Sequence, residues 1–398
     1  MRGEEVEGEG PSRSLLTRDF ALLLVTQASF GYAFSGFFLL PKYLTTELSA
    51  GPVEIGLLAG LYGVATVISM FAMGVAVDRI GRRPFLTAGA VLMSLASAAF
   101  VFVDEVGPLL FSLRALQGVA FAMAFVAGAT LTVDQAPPER LGLAIGIFGL
   151  TMLSMNAVAP AVMEFLAERR GWPVGFASAA GVAALSAILS SFVPERRPRP
   201  SPGARIPSLL EVARQPRQIR VAIVVVVVGA AFGTMFTYNQ PFALELGISQ
   251  VRSFFVAYAA AGVAARVGLG PFIDGFGRHR ASIASLLLYA LAVSAMIELR
   301  PGGLAPIGAI FGLAHGLFYP AFNALAVEAA SDNERGKVMA LFQGWFNVGF
   351  AGGAFALGFL AEAAGYRAVF GSAGLATFAV LVLLVLSPEG RPARRRVS

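Results

Sequence analysis

Gly74-Val75-Ala76-Val77-Asp78-Arg79-Ile80-Gly81-Arg82-Arg83 and Gly270-Pro271-Phe272-Ile273-Asp274-Gly275-Phe276-Gly277-Arg278-His279-Arg280 are two versions of one pattern. Their register is shared, since 270 − 74, 274 − 78, 277 − 81 and 278 − 82 all give 196. Each ends one apolar stretch and is followed at once by another, so each reads as a tight basic loop between two helices. A duplicated protein with many membrane crossings follows from that.

Working outward, the rest of the chain divides into apolar runs long enough to cross a hydrocarbon layer of about 30 Å. Charged residues are only 14% of the 398, too few for a soluble domain of this length. The expected spans are 20–41, 53–76, 84–104, 107–133, 141–167, 173–193, 219–244, 250–273, 281–299, 303–329, 337–364 and 367–387. The fold class is therefore all-α, with twelve membrane helices in two pseudo-symmetric bundles of six.

The formal net charge of +6 does not point to nucleic acid, because the positive residues are sorted by side of the membrane. The N-terminal tail and alternate loops hold most of the arginines, including Arg79, Arg82, Arg83, Arg140, Arg278, Arg280 and Arg335. The other loops hold only Lys42, Arg169, Arg170, Arg252, Arg300 and Arg367. The positive-inside rule then puts both termini and the central linker in the cytoplasm. The first residues lack the apolar core of a signal peptide, so span one is expected to do the targeting. No cysteine is present, which excludes disulfides and thiolate metal chemistry.

Residues 1–19 read as a cytoplasmic tail, 20–193 as one six-helix bundle, 194–218 as a Pro- and Arg-rich linker, 219–387 as the second bundle and 388–398 as a basic tail. Ile206 to Val212 in the linker has the character of a stretch that lies on a membrane surface. Further echoes support duplication. Pro41-Lys42-Tyr43-Leu44 is matched by Pro241-Phe242-Ala243-Leu244, and Asp134 before Arg140 is matched by Glu328 before Arg335. Parallel six-span halves are a transporter architecture.

Gly74, Asp78, Arg79, Gly81, Arg82 and Arg83 resemble the signature loop of the major facilitator superfamily, and Gly270, Asp274, Gly277, Arg278 and Arg280 its second copy. Arg114-Ala115-Leu116-Gln117-Gly118 is similar to that family's motif in span four, and Pro138-Glu139-Arg140-Leu141-Gly142-Leu143-Ala144 to its loop before span five. The resemblance runs from about 20 to 387. It implies alternating access, with a cytoplasmic gate. Asp78 would meet the start of span eleven near Lys337, and Asp274 the start of span five near Leu143. Arg82 with Asp134, and Arg278 with Glu328, would extend the clasp. Gly74, four residues before Asp78, shares its helix face and lets a neighbouring helix come close. The plainer reading is that the loops only satisfy topology. For Asp78 and Asp274 the gate is preferred, because their charge opposes the positive-inside rule.

Polar residues within the spans are costly in lipid and tend to face a cavity. Arg114 and Gln117 share a face of span four with Phe121. Arg114 is read either as part of a binding site or as a structural arginine reaching toward the interface. Gln27 and Tyr32 on span one, Asn156 on span five, and Gln343 and Asn347 on span eleven are read as lining. Tyr238, Asn239 and Gln240 precede Pro241, which is expected to break span seven and turn this segment into a site element. His315, Tyr319 and Asn323 follow at spacings of four on span ten. His315 reads two ways, as a proton carrier or as a neutral hydrogen-bonding group. Arg266 is assigned to the cytoplasmic charge cluster. Proton coupling, where it occurs, is sought at Glu164, His315 or the Arg114 cluster.

Asn156-Ala157-Val158-Ala159-Pro160-Ala161 keeps the proline of the span-five motif of drug/proton antiporters and replaces its glycine. That partial resemblance favours export. The amides and many phenylalanines suit a small amphipathic organic solute. The expected partners are that solute, the bilayer of a cell inner (plasma) membrane and, with coupling, protons; the chain is expected to act as a monomer. A sugar or metabolite carrier is the alternative, and a non-transporting sensor a distant one. An enzyme is disfavoured: the two histidines form no metal-binding pair and no nucleotide-binding loop occurs. No cofactor or metal is called for.

If Asp78 latches the cytoplasmic side, Asp78→Asn shifts the resting population toward inward-facing, read by distance labels across that side. An unchanged distance distribution would remove Asp78 from the gate.

Overall fold

The computed structural model describes residues 15–195, 209–268, 277–328, 330 and 334–386. Helix starts follow local sequence. Thr17 accepts from the Phe20 amide at 3.2 Å to open span one. Glu54 accepts from the Gly51 amide at 2.9 Å, with Pro52 at the first helical position of span two. Pro108, Pro173 and Pro216 open spans four, six and seven, where a missing N–H costs nothing.

Among the described residues, the first half comprises Arg18–Gly36, extended by a 3-10 turn and Leu40–Thr46 (span one), then Pro52–Ile80, Arg82–Ala99, Pro108–Gln135, Leu141–Arg170 and Trp172–Ser191. The second comprises Pro216–Glu245, Arg252–Gly268, Arg278–Ala295, Leu304–Val327 and Arg335–Leu386, which changes direction at Gly365 and so supplies spans eleven and twelve. No strand occurs among these residues. Large apolar side chains such as Ile68, Leu95, Ile188 and Leu375 point outward, the inversion expected of a surface that meets lipid. The protein is a multi-pass, all-helical membrane protein.

Duplication is visible in the backbone. Gly81 (φ 126°) separates spans two and three, and Gly277 (φ 92°) spans eight and nine. Gly171 (φ 86°) and Gly365 (φ 78°) do the same for spans five and six and for eleven and twelve. Only glycine takes such values without strain. Packing repeats too: a methyl on Gly118 would stand 2.6 Å from the Tyr62 carbonyl oxygen, and one on Gly312 2.0 Å from that of Tyr258. Span four therefore seats on span two as span ten seats on span eight.

Two expectations change. Span seven runs through Pro241 without a break. The proline removes one donor near the helix end, and Gln240 anchors the turn by donating to the carbonyls of Phe38 and Phe236 at 2.7 and 3.2 Å. In the linker, residues 196–208 lie outside the described set, but Leu209–Ala213 forms a short helix whose Val212 is fully buried against the second half. Val212 docks on the second half while Leu210 stays exposed, and residues 206–208 of the expected membrane-surface stretch lie outside the described set.

The halves meet unevenly. Span two packs on span eleven, with Gly63 against Ala351 and Gly56 against the Ala354 carbonyl. Those glycines belong to the end of the bundle opposite the basic loops. At the basic-loop end, a methyl placed on Gly74, Gly142, Gly146 or Gly344 would meet nothing within 4 Å, and Leu143 is exposed. Among the described residues, the halves are packed closely at one end, and these glycines at the other end meet no neighbour.

Gly312→Ala is expected to lower stability by about 1–3 kcal/mol through forced separation of spans eight and ten, seen as a lower melting temperature in detergent. Gly344→Ala, at an open position, should leave it unchanged or slightly raised. Equal behaviour of the two variants would contradict the packing argument.

Candidate functional site

At the sealed end a carboxylate sits out of reach of solvent. Glu164, fully buried on span five, accepts from Lys42 Nζ at 2.5 Å and from the backbone amides of Val251 and Arg252 at 3.0 and 2.8 Å. Lys42 Nζ also donates to the Ser249 carbonyl at 2.6 Å. Arg252 Nη1 reaches Glu168 at 2.8 Å. Lys42 and Glu164 belong to the first half, Ser249, Val251 and Arg252 to the second. Gln240 adds a second tie, accepting from the Lys42 amide at 3.2 Å while holding Phe38. Phe38 closes the gap between these groups by packing on Phe236, 4.7 Å between ring centroids.

Beneath the seal a cavity of about 40 Å³ lies between the halves, lined by Phe34, Phe38, Tyr62, Arg114, Phe236 and Phe350 among others. Such a space suits one or two waters. Arg114 is its charged group. The guanidinium stacks over the Tyr62 ring at 4.6 Å and donates to Gln117 Oε1 at 2.7 Å. The predicted shared face of Arg114, Gln117 and Phe121 is thus present.

A second polar cluster forms within the second half. Tyr289 Oη and His315 Nδ1 are 2.6 Å apart, and the tautomer sets which one donates. Tyr319 Oη donates to Gln343 Oε1. Asn347 donates to the Gln343 carbonyl at 2.8 Å and approaches Met70 Sδ of the other half at 3.9 Å. Phe232 packs on the His315 ring at 4.9 Å and on Phe346 at 5.4 Å. Asn323 is half-buried farther along span ten. Asn156 accepts from Ser35 at 2.7 Å between spans five and one.

Other residues read as lining are not in the cavity. Gln27 is fully buried and donates to the Ala124 carbonyl at 3.3 Å, in space that the missing side chain of Gly128 provides. Tyr32 bonds Ser178 at 3.3 Å on span six. Tyr238, fully buried, donates to the Ala354 carbonyl and fills the notch at Gly56 and Gly358. Asn239 donates back to the Met235 carbonyl. Helical spacing identifies a face, but the facing glycine decides whether that face meets a cavity or another helix.

At the basic-loop end Arg82 Nε pairs with Asp134 Oδ2 at 3.1 Å, with both side chains nearly buried, and its amide donates to Glu195 at 2.7 Å. The expected partner of Arg82 is therefore in place. Arg278 and Glu328 do not pair; both are exposed, where an ion pair is worth about 0–1 kcal/mol and nothing enforces it. Arg79 and Arg335 are exposed and Arg140 is half-buried. Gly81 and Gly277 turn the chain through their positive φ. Among the described residues, a methyl on Gly74 would meet nothing within 4 Å, so the close helix approach expected there is not seen. The Asp78 side chain, Gly270 and Asp274 lie outside the described residues.

Two functional candidates escape sequence reasoning. Lys42 reads as a loop charge; the signal against that is its place inside an apolar run that continues past Pro41. Arg266 reads as part of the cytoplasmic cluster, yet its guanidinium lies 5.9 Å from the Tyr319 ring.

A Major Facilitator Superfamily profile matches residues 21–297 and 246–398. The chain belongs to the major facilitator superfamily. Among its relatives in this superfamily, the multi-drug resistance efflux pump PmrA of Streptococcus pneumoniae serotype 4 is 28% identical over 349 residues, covering 81% of this chain and 84% of that protein. The multidrug resistance protein MdtG of Dickeya zeae is 26% identical, covering 74% of each. Of solved structures, the nucleoside transporter NupG aligns with a TM-score of 0.79 at 12% identity, over 94% of this chain and 99% of that one. The human organic anion transporter MFSD10 aligns at 0.70 and 15% identity, over 92% and 99%. This superfamily chain is a secondary transporter of small molecules.

Breaking a buried pair by removing one partner costs about 3–5 kcal/mol, and each 1.4 kcal/mol is tenfold in a two-state ratio. Lys42→Met is therefore expected to open the sealed end. Because the chain has no cysteine, spin labels at Glu105→Cys and Arg300→Cys report it directly: the distance should lengthen. Unchanged distances would mean that apolar packing alone holds this end.

Proposed function

We propose that this transporter exports small amphipathic organic compounds from the cytoplasm by alternating access, and that protonation of Glu164 unlocks its outer end. The carrying observation is the position of Glu164, the one fully buried carboxylate among the described residues, shared by both halves. A proton on Oε1 displaces Lys42 or the Val251 amide, and a proton on Oε2 displaces the Arg252 amide. The clasp then loses its charge-assisted bonds, and the halves, 20–193 and 219–387, part on that side; the proton, taken up from outside, leaves to the cytoplasm before the ionised clasp re-forms, so that one proton enters as the solute goes out.

The orientation follows from the charge sorting: basic loops and both termini in the cytoplasm of a cell with an inner membrane, the Lys42 end outside. On that reading the conformation described is inward-facing. Latches at Asp78 and Asp274 would form when the open end closes, with Arg82–Asp134 as a brace within the first half. Export is supported by the kinship with proteins named as a multi-drug resistance efflux pump and a multidrug resistance protein and by Pro160 in span five. Of the proton candidates, Arg114 stays charged throughout, and His315 serves as a hydrogen-bonding group on Tyr289. The protein acts as a monomer. A polar metabolite carrier is the second reading, favoured by the amides Gln343 and Asn347 at the boundary between halves.

Purified protein in proteoliposomes with an internal pH dye, screened against drugs, sugars and amino-acid-like metabolites, tests this. An imposed proton gradient should drive movement of amphipathic compounds, with a matching pH change that Glu164→Gln abolishes. Substrate movement without a pH change would overturn proton coupling, and preference for sugars would favour the second reading.

A further inference from the structure

Buried donors without partners recur along the pathway, beside the unpartnered oxygens of Gln27, Asn239 and Tyr258. Arg114, only 8% exposed, has a buried Nε without a partner, and so has Gln117 at Nε2. Arg266 likewise has a buried Nε without a partner. Its Nη1 lies 3.0 Å from where a methyl on Gly149 would stand, so the bare face of span five makes room for it. No carboxylate pairs with Arg114 or Arg266 among the described residues. The one fully buried carboxylate there, Glu164, is already saturated by Lys42 and two amides.

The two arginines lie at different depths. Arg114 is near the sealed end of span four, about 9 Å from its start at 1.5 Å per residue, whereas Arg266 is about 21 Å along span eight, toward the open end. Beside Arg266, Tyr319 commits its hydroxyl to Gln343 Oε1, which leaves that amide its donor nitrogen. His315 is engaged only through Nδ1. Phe232 and Phe346, each 7% exposed and packed on one another, form an apolar layer 4.9 and 6.1 Å from the His315 ring that a solute would have to part or line. Positive charge, spare donors and flat apolar surface match an acid on an aromatic body. An organic cation there would meet repulsion from Arg266 and no carboxylate paired with it among the described residues.

Resting on the transport reading above, we infer that the solute is an amphipathic organic anion, its single acidic group held at Arg266 and its rings against Phe232 and Phe346. Arg266 is the residue that sets this selectivity. A guanidinium takes a carboxylate through two parallel N–H donors, which an ammonium cannot reproduce.

The test compares three probes of one shape, 1-naphthoate, 1-naphthamide and 1-naphthylmethylammonium, for binding to the purified full-length protein and for uptake into proteoliposomes. Naphthoate should bind about tenfold or more tightly than the amide, with the ammonium weakest. Arg266→Gln should remove that advantage while leaving the amide's affinity within about twofold, and Arg266→Lys should keep part of it. An amide or ammonium bound as tightly as naphthoate, or an Arg266→Gln effect equal on all three, overturns the inference. If Arg266→Gln does not fold, the wild-type ranking decides alone. Gradient-driven movement of the ammonium or amide but not naphthoate sinks the anion assignment and leaves transport standing. Movement of none of these, nor of any compound in the wider screen, counts against both.

Discussion

A carboxylate removed from water must be given donors, and at Glu164 those donors come from both halves of the molecule. Lys42 supplies the opposite charge from span one, while the amides of Val251 and Arg252 supply two directed bonds from the start of span eight. The cost of desolvating the ions is met only with every lone pair occupied. The geometry of spans one, five, seven and eight at that end is therefore fixed together. Gln240 and Phe38 can close over it because the ion pair has already set their distance. The same bonds can be replaced by water when the end opens, which a purely apolar seal could not manage without exposing its whole surface. A polar clasp under an aromatic lid is thus strong in one state and dispensable in the other, as a two-state carrier requires.

Around that clasp the duplicated frame is conservative and its polar content is not. Positive-φ glycines recur at matching turns, and Tyr62 with Gly118 packs as Tyr258 does with Gly312. Backbone-to-backbone packing of this kind tolerates no added methyl, so it holds both copies to one geometry. Side chains facing the space between are free of that constraint. The first half keeps a single arginine on Tyr62. The second carries Tyr289–His315, Tyr319–Gln343 and Arg266. The duplicated frame is thus symmetric, while the polar groups that face the interior differ between its halves.

The frame is legible in the sequence because its signals are local: apolar length, a proline that starts a helix, a glycine that turns one, and arginines sorted by side. Among the described residues, each expected span coincides with a helical segment. The Arg82–Asp134 pair is legible through motif resemblance. The lining is less so, for a physical reason. A residue's spacing tells which neighbours share its face, but helix rotation and the size of the opposing residue decide what that face meets. Gln27 is absorbed by Gly128, and Tyr238 by Gly56 and Gly358, so both are packing residues despite their polarity. Lys42 and Glu164 are 122 residues apart, and no local pattern pairs them. Pro241 misleads in the opposite direction, since one missing donor near a helix end is easily absorbed by packed neighbours.

The charges of the interior have a joint consequence. At the sealed end Lys42, Glu164, Glu168 and Arg252 nearly compensate one another. Farther in, Arg114 and Arg266 have no carboxylate to do the same among the described residues. An interior of low dielectric makes such an imbalance costly in proportion to how completely water is excluded. Where water can enter, it screens such charges. During the passage between states both ends are narrowed, and screening is weakest at that point. An anion seated at Arg266 supplies the missing charge when it is needed most, so a loaded carrier crosses more readily than an empty one. On the proposed anion reading, selectivity originates at Arg266, with which no carboxylate pairs among the described residues, while coupling stays with Glu164.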